Sequence, residues 1–426
     1  MMRSMFSAVT GLRNHQTMMD VIGNNIANVN TVGFKKSRVT FQEALYQTMR
    51  GASAAQGNRG GTNPMQVGLG MTIASIDTIH TSSSLESTGN MTDLAIEGDG
   101  FFILSDGQNY YYTRAGNFGF DEEGNLVSTS SGLKVLGWQG TDFKTPQNLT
   151  SIRIQKGLMM PAKATSEVRF ANNLDASAEV ETDISKGYKI PFKVYDSLGN
   201  SYQMLMIFNK TAENEWQYIV VPYSEDIDYQ NIQPNSDNSG KLSFDPRDGD
   251  LFDQDNNNDP FQNSDVTKDI TVNLPNGSPL TFTVDFSSLT QFARETTVDL
   301  SYQDGYPAGT LLGISVDSNG VITGIFDNGM NMELAQIALA IFDNPSGLTK
   351  AGGNAYTVSN NSGEPKIGTA GTGGRGTVSP GSLEMSNVDL AEEFTRMIVT
   401  QRGFQANSRI ISVTDEMLQE LVNLKR

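Results

Sequence analysis

The sequence predicts a mainly β protein with α-helical termini, in which nested, discontinuous β domains are joined to a two-helix, coiled-coil-like terminal domain. Three observations carry that expectation. Apolar residues near both ends recur at spacings of three, four and seven, the period of an amphipathic helix. Between the ends, short runs of Ile, Val, Phe and Tyr alternate with turn residues, the pattern of hairpin strands. The length, 426 residues, at about 100–200 residues per domain calls for several cores rather than one.

The N-terminal stripe is Met5, Val9, Leu12, Met19, Ile22 and Ile26, continued by Val29 and ended by Gly33. At the other end Asn387 is placed to cap a helix carrying Leu390, Phe394, Met397, Phe404, Ile411, Leu418 and Leu421. Gln401, Ser408 and Asp415 stand where a strict heptad would want apolar residues, and polar seam positions set register. Unbroken to Arg426, this helix would span about 38 residues, or ~57 Å. An isolated amphipathic helix is marginal in water. About six apolar side chains per helix, at ~1.5–3 kcal/mol each, are recovered only when a partner covers them. These thirteen apolar residues are therefore the candidate assembly interface. The alternative is a terminal helix folded back on its own domain.

Strands are expected at Phe101 to Leu104, Tyr110 to Thr113, Lys134 to Trp138, Tyr188 to Tyr195, Tyr202 to Phe208, Trp216 to Val221, Ile270 to Leu274, Leu311 to Val316 and Val321 to Phe326. Asn276-Gly277, Asn319-Gly320 and Asn328-Gly329 are turn signals. The resulting division is a helical domain of residues 1–30 with 386–426, a connector at 31–66, an inner β domain of 67–148 with 296–365, an inserted outer β domain at 149–295, and a second connector at 366–385. The two connectors leave the helices loosely tethered. The stretch Glu225 to Asp265 is acidic, Asn-rich and apolar-poor, and is expected as a long outer loop rather than a core strand.

Thirty Lys and Arg against 48 Asp and Glu give a net charge of −18, which repels a phosphate backbone and argues against a nucleic-acid partner. The absence of cysteine excludes disulfides, thiolate metal sites and cysteine nucleophiles. The most apolar segment, Ile337 to Phe342, is far short of the ~18–20 residues of a membrane span, so no membrane insertion is expected. The first twenty residues lack a continuous apolar core and a small-residue cleavage site, so no cleaved signal peptide is expected.

No motif points to catalysis, a metal or a cofactor. Gly371-Thr372-Gly373-Gly374-Arg375-Gly376 spells G-x-G-x-x-G, yet Ser379-Pro380-Gly381 continues the loop where a helix should start. Asp253, Asp255 and Asn257 have calcium-loop spacing, but Asn258 replaces the turn glycine and Ser264 the bidentate Glu. His15, on the expected helix, and His80, in a strand-like run, are the chain's two histidines, too few for a zinc cluster or a convincing Ser-His-Asp relay. A carboxylate pair of a secreted, β-rich polysaccharide-active enzyme leaves no local signature and remains the rival from a different class.

Several segments resemble one family. Ser7-Ala8-Val9 through Gly11-Leu12, Asn24 to Lys35, Ile96 to Phe102, Tyr112 to Phe118, Leu383 to Phe394 and Gln401 to Arg409 are similar to the shared signatures of the bacterial flagellar rod and hook axial proteins. In the middle, Leu289 to Ala293, Gly305 to Gly309, and Gln336 to Ala340 with Asn344-Pro345 look like its hook members. A distal rod member would lack most of the inserted domain. The resemblance implies a structural subunit of a curved tubular homopolymer, a universal joint transmitting torque from rod to filament. It implies terminal helices paired in an inner tube and β domains in outer shells. As partners it implies other copies of the chain, a rod protein, a hook cap, hook-filament junction proteins and the flagellar type III export apparatus. The implied location is the extracellular flagellum, reached without a cleaved signal peptide. Some members crosslink subunits through a cysteine-derived lysinoalanine, which a chain without cysteine cannot form.

Overall fold

The computed structural model describes residues 2–55, 57, 60–140, 149–181, 183–223, 237–251, 266–273 and 279–424. It contains two compact units, one of Met1–Lys156, Ile314–Gly324 and Glu333–Arg426, the other of Gly157–Gly313 and Ile325–Met332.

In the first unit two helices, α1 (Met2–Ala27) and α2 (Leu390–Asn423), stand beside a sheet. Helix α1 ends in turns at Asn28 and Thr31, and the chain then bends at Gly33, whose φ is +67°. A β-carbon there would lie 2.5 Å from the Ala115 backbone nitrogen, so glycine is required twice over. Helix α2 starts at Asp389, whose carboxylate accepts from the Ala391 and Glu392 amides, with Glu392 and Glu393 favouring the positive end of the helix dipole. Asn387 is not the cap. Its Oδ1 accepts from the Lys36 amide at 2.7 Å and its Nδ2 donates to the Ile79 carbonyl at 2.8 Å, so it stitches two strands to the helix root.

The sheet centres on strand Phe101–Ser105, paired antiparallel with Tyr110–Thr113 on one side and Lys134–Gln139 on the other. Ala355–Thr357 and Thr349–Gly352 extend it beyond Tyr110–Thr113. Phe101, Ile103, Tyr112, Trp138, Ala338 and Phe342 form its core, with the Tyr112 and Phe342 rings edge to face at 4.8 Å.

The second unit contains a β-sandwich. One sheet is an antiparallel meander of Tyr188–Tyr195, Ser201–Ala212, Glu215–Pro222 and Ser239–Ser243. The other orders Thr267–Asn273, Pro279–Phe292, Glu167–Asp175 and Asp299–Gln303, the middle pair being parallel. Alternate residues of both sheets, among them Phe170, Phe192, Phe208, Tyr218, Phe282 and Phe286, share one buried core.

Every expected strand is present, most within a residue or two of its expected ends, except that Asn276-Gly277 and most of Glu225 to Asp265 lie outside the described residues. The described part of the latter contains a core strand, Ser239–Ser243, because Leu242 and Phe244 insert into the sandwich. The expected calcium-loop residues Asp253, Asp255 and Asn257 also lie outside the described residues. The middle unit is shifted from the expected 149–295. Thr150–Ser151 pairs with Leu136 and Gly137 in the first unit, while Val298 and Leu300 pack into the sandwich. Neither expected connector is a loose tether. Ser37–Glu43 pairs with Met71–Thr78, Thr377–Pro380 with Leu94–Glu97, and Ser382–Glu384 with Leu85–Ser87. Glycine content read as flexibility, whereas Gly371, Gly373, Gly374 and Gly381 take positive φ in turns between strands. In the G-x-G-x-x-G run Gly371, Gly373 and Gly374 take positive φ, and Arg375 Nε folds back to the Thr369 carbonyl at 2.9 Å. A strand follows it, not a helix, so the dinucleotide reading has no structural support.

Candidate assembly interface

Helices α1 and α2 pack antiparallel. Gly11 meets Asn407, His15 meets Gly403 and Asn25 meets Glu393, and in all three pairs the residue numbers add to the same total, as an antiparallel register requires. The helices approach closely because glycine stands at two crossings. A β-carbon at Gly11 would lie 2.6 Å from Asn407 Nδ2, and one at Gly403 would lie 2.8 Å from His15 Nε2. Ala8, Gly11, Ile22 and Asn25 are the buried residues of α1. Burial holds the His15 pKa below its ordinary value.

On α2 the buried residues are Glu393, Thr400 and Thr414, which with Asn407 recur every seven residues. This corrects the expected seam. Met397, Phe404, Ile411 and Leu418 flank it half-buried, as do Met5, Val9, Leu12, Met19 and Ile26 on the other helix, while Ile22 is fully buried. Leu390, Phe394 and Leu421 are exposed. The second seam position therefore falls one residue before Phe394, on Glu393, whose Oε2 accepts from Asn25 Nδ2 at 3.2 Å. Asn25 also exchanges bonds with Ser37, its Nδ2 donating to the Ser37 carbonyl and its Oδ1 accepting from the Ser37 amide. Gln401, expected in the seam, is exposed too.

The root of the helix pair is tied to the sheet by charge. Lys35 Nζ lies 2.6 Å from Glu384 Oε1 and Arg114 Nη1 3.3 Å from Glu384 Oε2, with these side chains at most 2% exposed. Lys35 also donates to the Thr81 carbonyl, and Arg114 Nη2 to the Gly98 carbonyl. Burial lowers the pKa of Lys35 most, while Glu384 acts against it. Nearer the surface Glu392 bridges Lys36 at 2.8 Å and Arg396 at 2.6 Å, and the Lys36 bond holds its carboxyl below the ordinary range.

A second apolar stripe lies on the flank of α2. Val399, Ile410, Val413, Met417 and Leu421 are all between 44% and 65% exposed and follow helical spacing through Ala406. Of these only Leu421 was expected at an interface. Counting one stripe per helix missed the rest, although the sequence carries the spacing.

Four family models match in order: the flagella basal body rod protein over residues 5–35, the flagellar hook protein FlgE/F/G D1 domain over 95–157, the flagellar basal body protein FlaE D2 domain over 171–306, and the flagellar basal body rod FlgEFG protein C-terminal region over 379–424. The flagellar hook protein FlgE of Borreliella burgdorferi is 43% identical to this chain over the full length of both. This chain belongs to the flagellar hook protein family. A second hook relative, from Treponema pallidum, is 40% identical over the full length of both chains. The flagellar basal-body rod protein FlgG of Bacillus subtilis also matches end to end at 32% identity, so the size of the middle unit does not by itself separate hook from rod. The crystal structure of Helicobacter pylori flagellar hook protein FlgE2 shares the fold, with a TM-score of 0.54 at 16% identity over 70% of this chain and all of that one.

The hook family is a structural family rather than an enzyme family. Among the described residues no group of His, Asp and Glu is arranged to hold a metal, and no helix is long and apolar enough to cross a membrane.

Proposed function

We propose that this chain is the structural subunit of a flagellar hook, polymerising into a curved tube that passes torque from rod to filament. One observation carries the reading: α2 keeps an apolar stripe from Val399 to Leu421 bare after its other face has packed on α1. A contiguous exposed apolar stripe of this kind marks an association surface, and copies of the chain offer the matching face. Helix pairs line the inner tube and the β units form the outer shells. A surface of charge −18 with many Asn, Ser and Thr suits weak, exchangeable outer contacts. The chain is exported by the flagellar type III apparatus and meets the rod, the hook cap and the junction proteins at its ends.

The test is assembly in vitro. Concentrated full-length protein forms tubes visible by electron microscopy, and Val413→Glu remains a folded monomer of unchanged melting temperature. Globular aggregates from the parent chain, or normal tubes from the variant, would refute the proposal. A rod subunit is the second reading, favoured by the end-to-end rod relative. Complementation separates the two, because a hook subunit restores motility to a hook-deficient strain and not to a rod-deficient one.

A further inference from the structure

Helices α1 and α2 cross where the His15 ring fills the notch that Gly403 leaves, a β-carbon at that glycine falling 2.8 Å from His15 Nε2 and 2.9 Å from its Cε1. The same ring meets Phe41 of strand Ser37–Glu43 edge to face, with centroids 6.0 Å apart. Its Nδ1 is closed to solvent and has no hydrogen-bond partner. His15 also borders a cavity of about 410 Å³ with Ser7, Gly68, Gly70, Met71 and Asn407, so the crossing lies beside an opening to water.

No charge compensates the ring. Burial is what lowers its pKa from 6.5, with no charged neighbour acting on it among the described residues. On α1 Arg3, Arg13 and Asp20 are exposed, and on α2 so are Arg402, Arg409, Asp415, Glu416 and Glu420. Nearer the start of α2, Arg396 is held by Glu392, and Glu393 accepts from Asn25. On the two strands packed against α1, Arg38 lies 3.8 Å from Asp77, and Glu43 accepts from Tyr46 Oη at 2.7 Å.

The neutral ring can leave Nδ1 bare by holding its proton on Nε2, whereas the cation carries an N–H on both nitrogens. Protonation therefore puts a donor where nothing accepts it and a charge where no carboxylate answers it, at the point of closest helix approach. We propose that His15 is a proton-sensitive latch on the helix pair, closed while the ring is neutral and loosened when it is protonated. Below pH 6.5 the unfolded chain binds a proton that the packed ring refuses, so pairing is full above that pH and weakens as the pH falls. Its consequence for polymerisation rests on the assembly reading above.

The chain has two histidines, so side-chain nitrogen NMR of the labelled full-length monomer follows both through a titration from about pH 7.5 to pH 5.5, above the range where ordinary carboxylates protonate. Hydrogen exchange, corrected for its intrinsic pH dependence, reads the helices in the same samples. Protection of α1 and α2 amides is expected to fall several-fold across this range, in step with the His15 signals and relative to the strands of the sandwich unit. His15→Phe, which keeps a ring in the notch, should abolish the fall, and His80→Phe should leave it in place. Tube yield should follow the same curve in the parent chain and lose its pH dependence in His15→Phe. A parent chain that forms no tubes at pH 7.5 would count against the assembly reading and leave the monomer result standing. Helix protection that does not change with pH, that falls equally in His15→Phe, or that is flattened by His80→Phe instead overturns the latch. So does a His15 ring that titrates at 6.5 or above in the folded monomer.

Discussion

Glu384 holds Lys35 and Arg114 at once, its Oε1 2.6 Å from Lys35 Nζ and its Oε2 3.3 Å from Arg114 Nη1, in a site closed to solvent. Lys35 lies just after the N-terminal helix and Glu384 just before the C-terminal one, so this carboxylate joins the two ends of the chain to the sheet between them. Removing one member of a buried charge group costs far more than the group itself contributes, because the remaining charges are left uncompensated.

Glu384→Gln is accordingly expected to destabilise the first unit by about 3–5 kcal/mol. Urea unfolding of the full-length monomer should show the loss in one transition, with the transition of the sandwich unit unmoved. A loss below 1 kcal/mol, by the same scale, would mean that water reaches the site.

Helix glycines separate into two kinds. Gly403→Ala forces the His15 ring aside and is expected to loosen the helix pair, seen as faster hydrogen exchange across α1 and α2. Gly23→Ala meets nothing within 4 Å and should stabilise α1 by about 0.5–1 kcal/mol through helix propensity alone. Equal effects of the two would contradict the close crossing.

Acid should weaken the fold through His80. Burial, then the charges of Lys35, Arg114 and Lys350, lower its pKa from 6.5 to about 4. Between those values the unfolded chain binds a proton that the folded chain refuses, so stability is full above pH 6.5 and falls as the pH drops toward 4, by up to about 3 kcal/mol at 1.36 kcal/mol per unit. His80→Phe should flatten that part of the pH profile, and an unchanged slope would place the titrating group elsewhere.

Much of this architecture was legible in the sequence, and the misses have physical causes. Strand positions came through because alternating burial writes itself into residue type, as in Tyr188–Tyr195. The terminal helices came through by the same route. The cap moved from Asn387 to Asp389 because either residue can cap, and only the tertiary bonds of Asn387 to Lys36 and Ile79 decide between them. The seam moved from Phe394 to Glu393 because apolar counting cannot see a polar seam, here built on Asn25, Asn407 and two threonines. The buried charges joining Lys35, Arg114 and Glu384 were invisible because their partners are hundreds of residues apart.

The β units should fold without the helices. A chain of residues 28–389 retains the Glu384 site and both cores, and is expected to be a folded monomer that neither polymerises nor joins intact subunits. Loss of cooperative melting in that chain would show that the helix pair is part of the first unit's core rather than an assembly element.

The central claim is that the bare flank of α2 is covered by another copy. Because the chain has no cysteine, Met417→Cys places a single reporter thiol on that flank. Its maleimide labelling rate should be fast in the monomer and nearly abolished in assembled tubes, while a thiol at the exposed tip residue Leu198 reacts in the monomer as the reference. Equal labelling of the Met417→Cys thiol in monomer and tube would contradict the account.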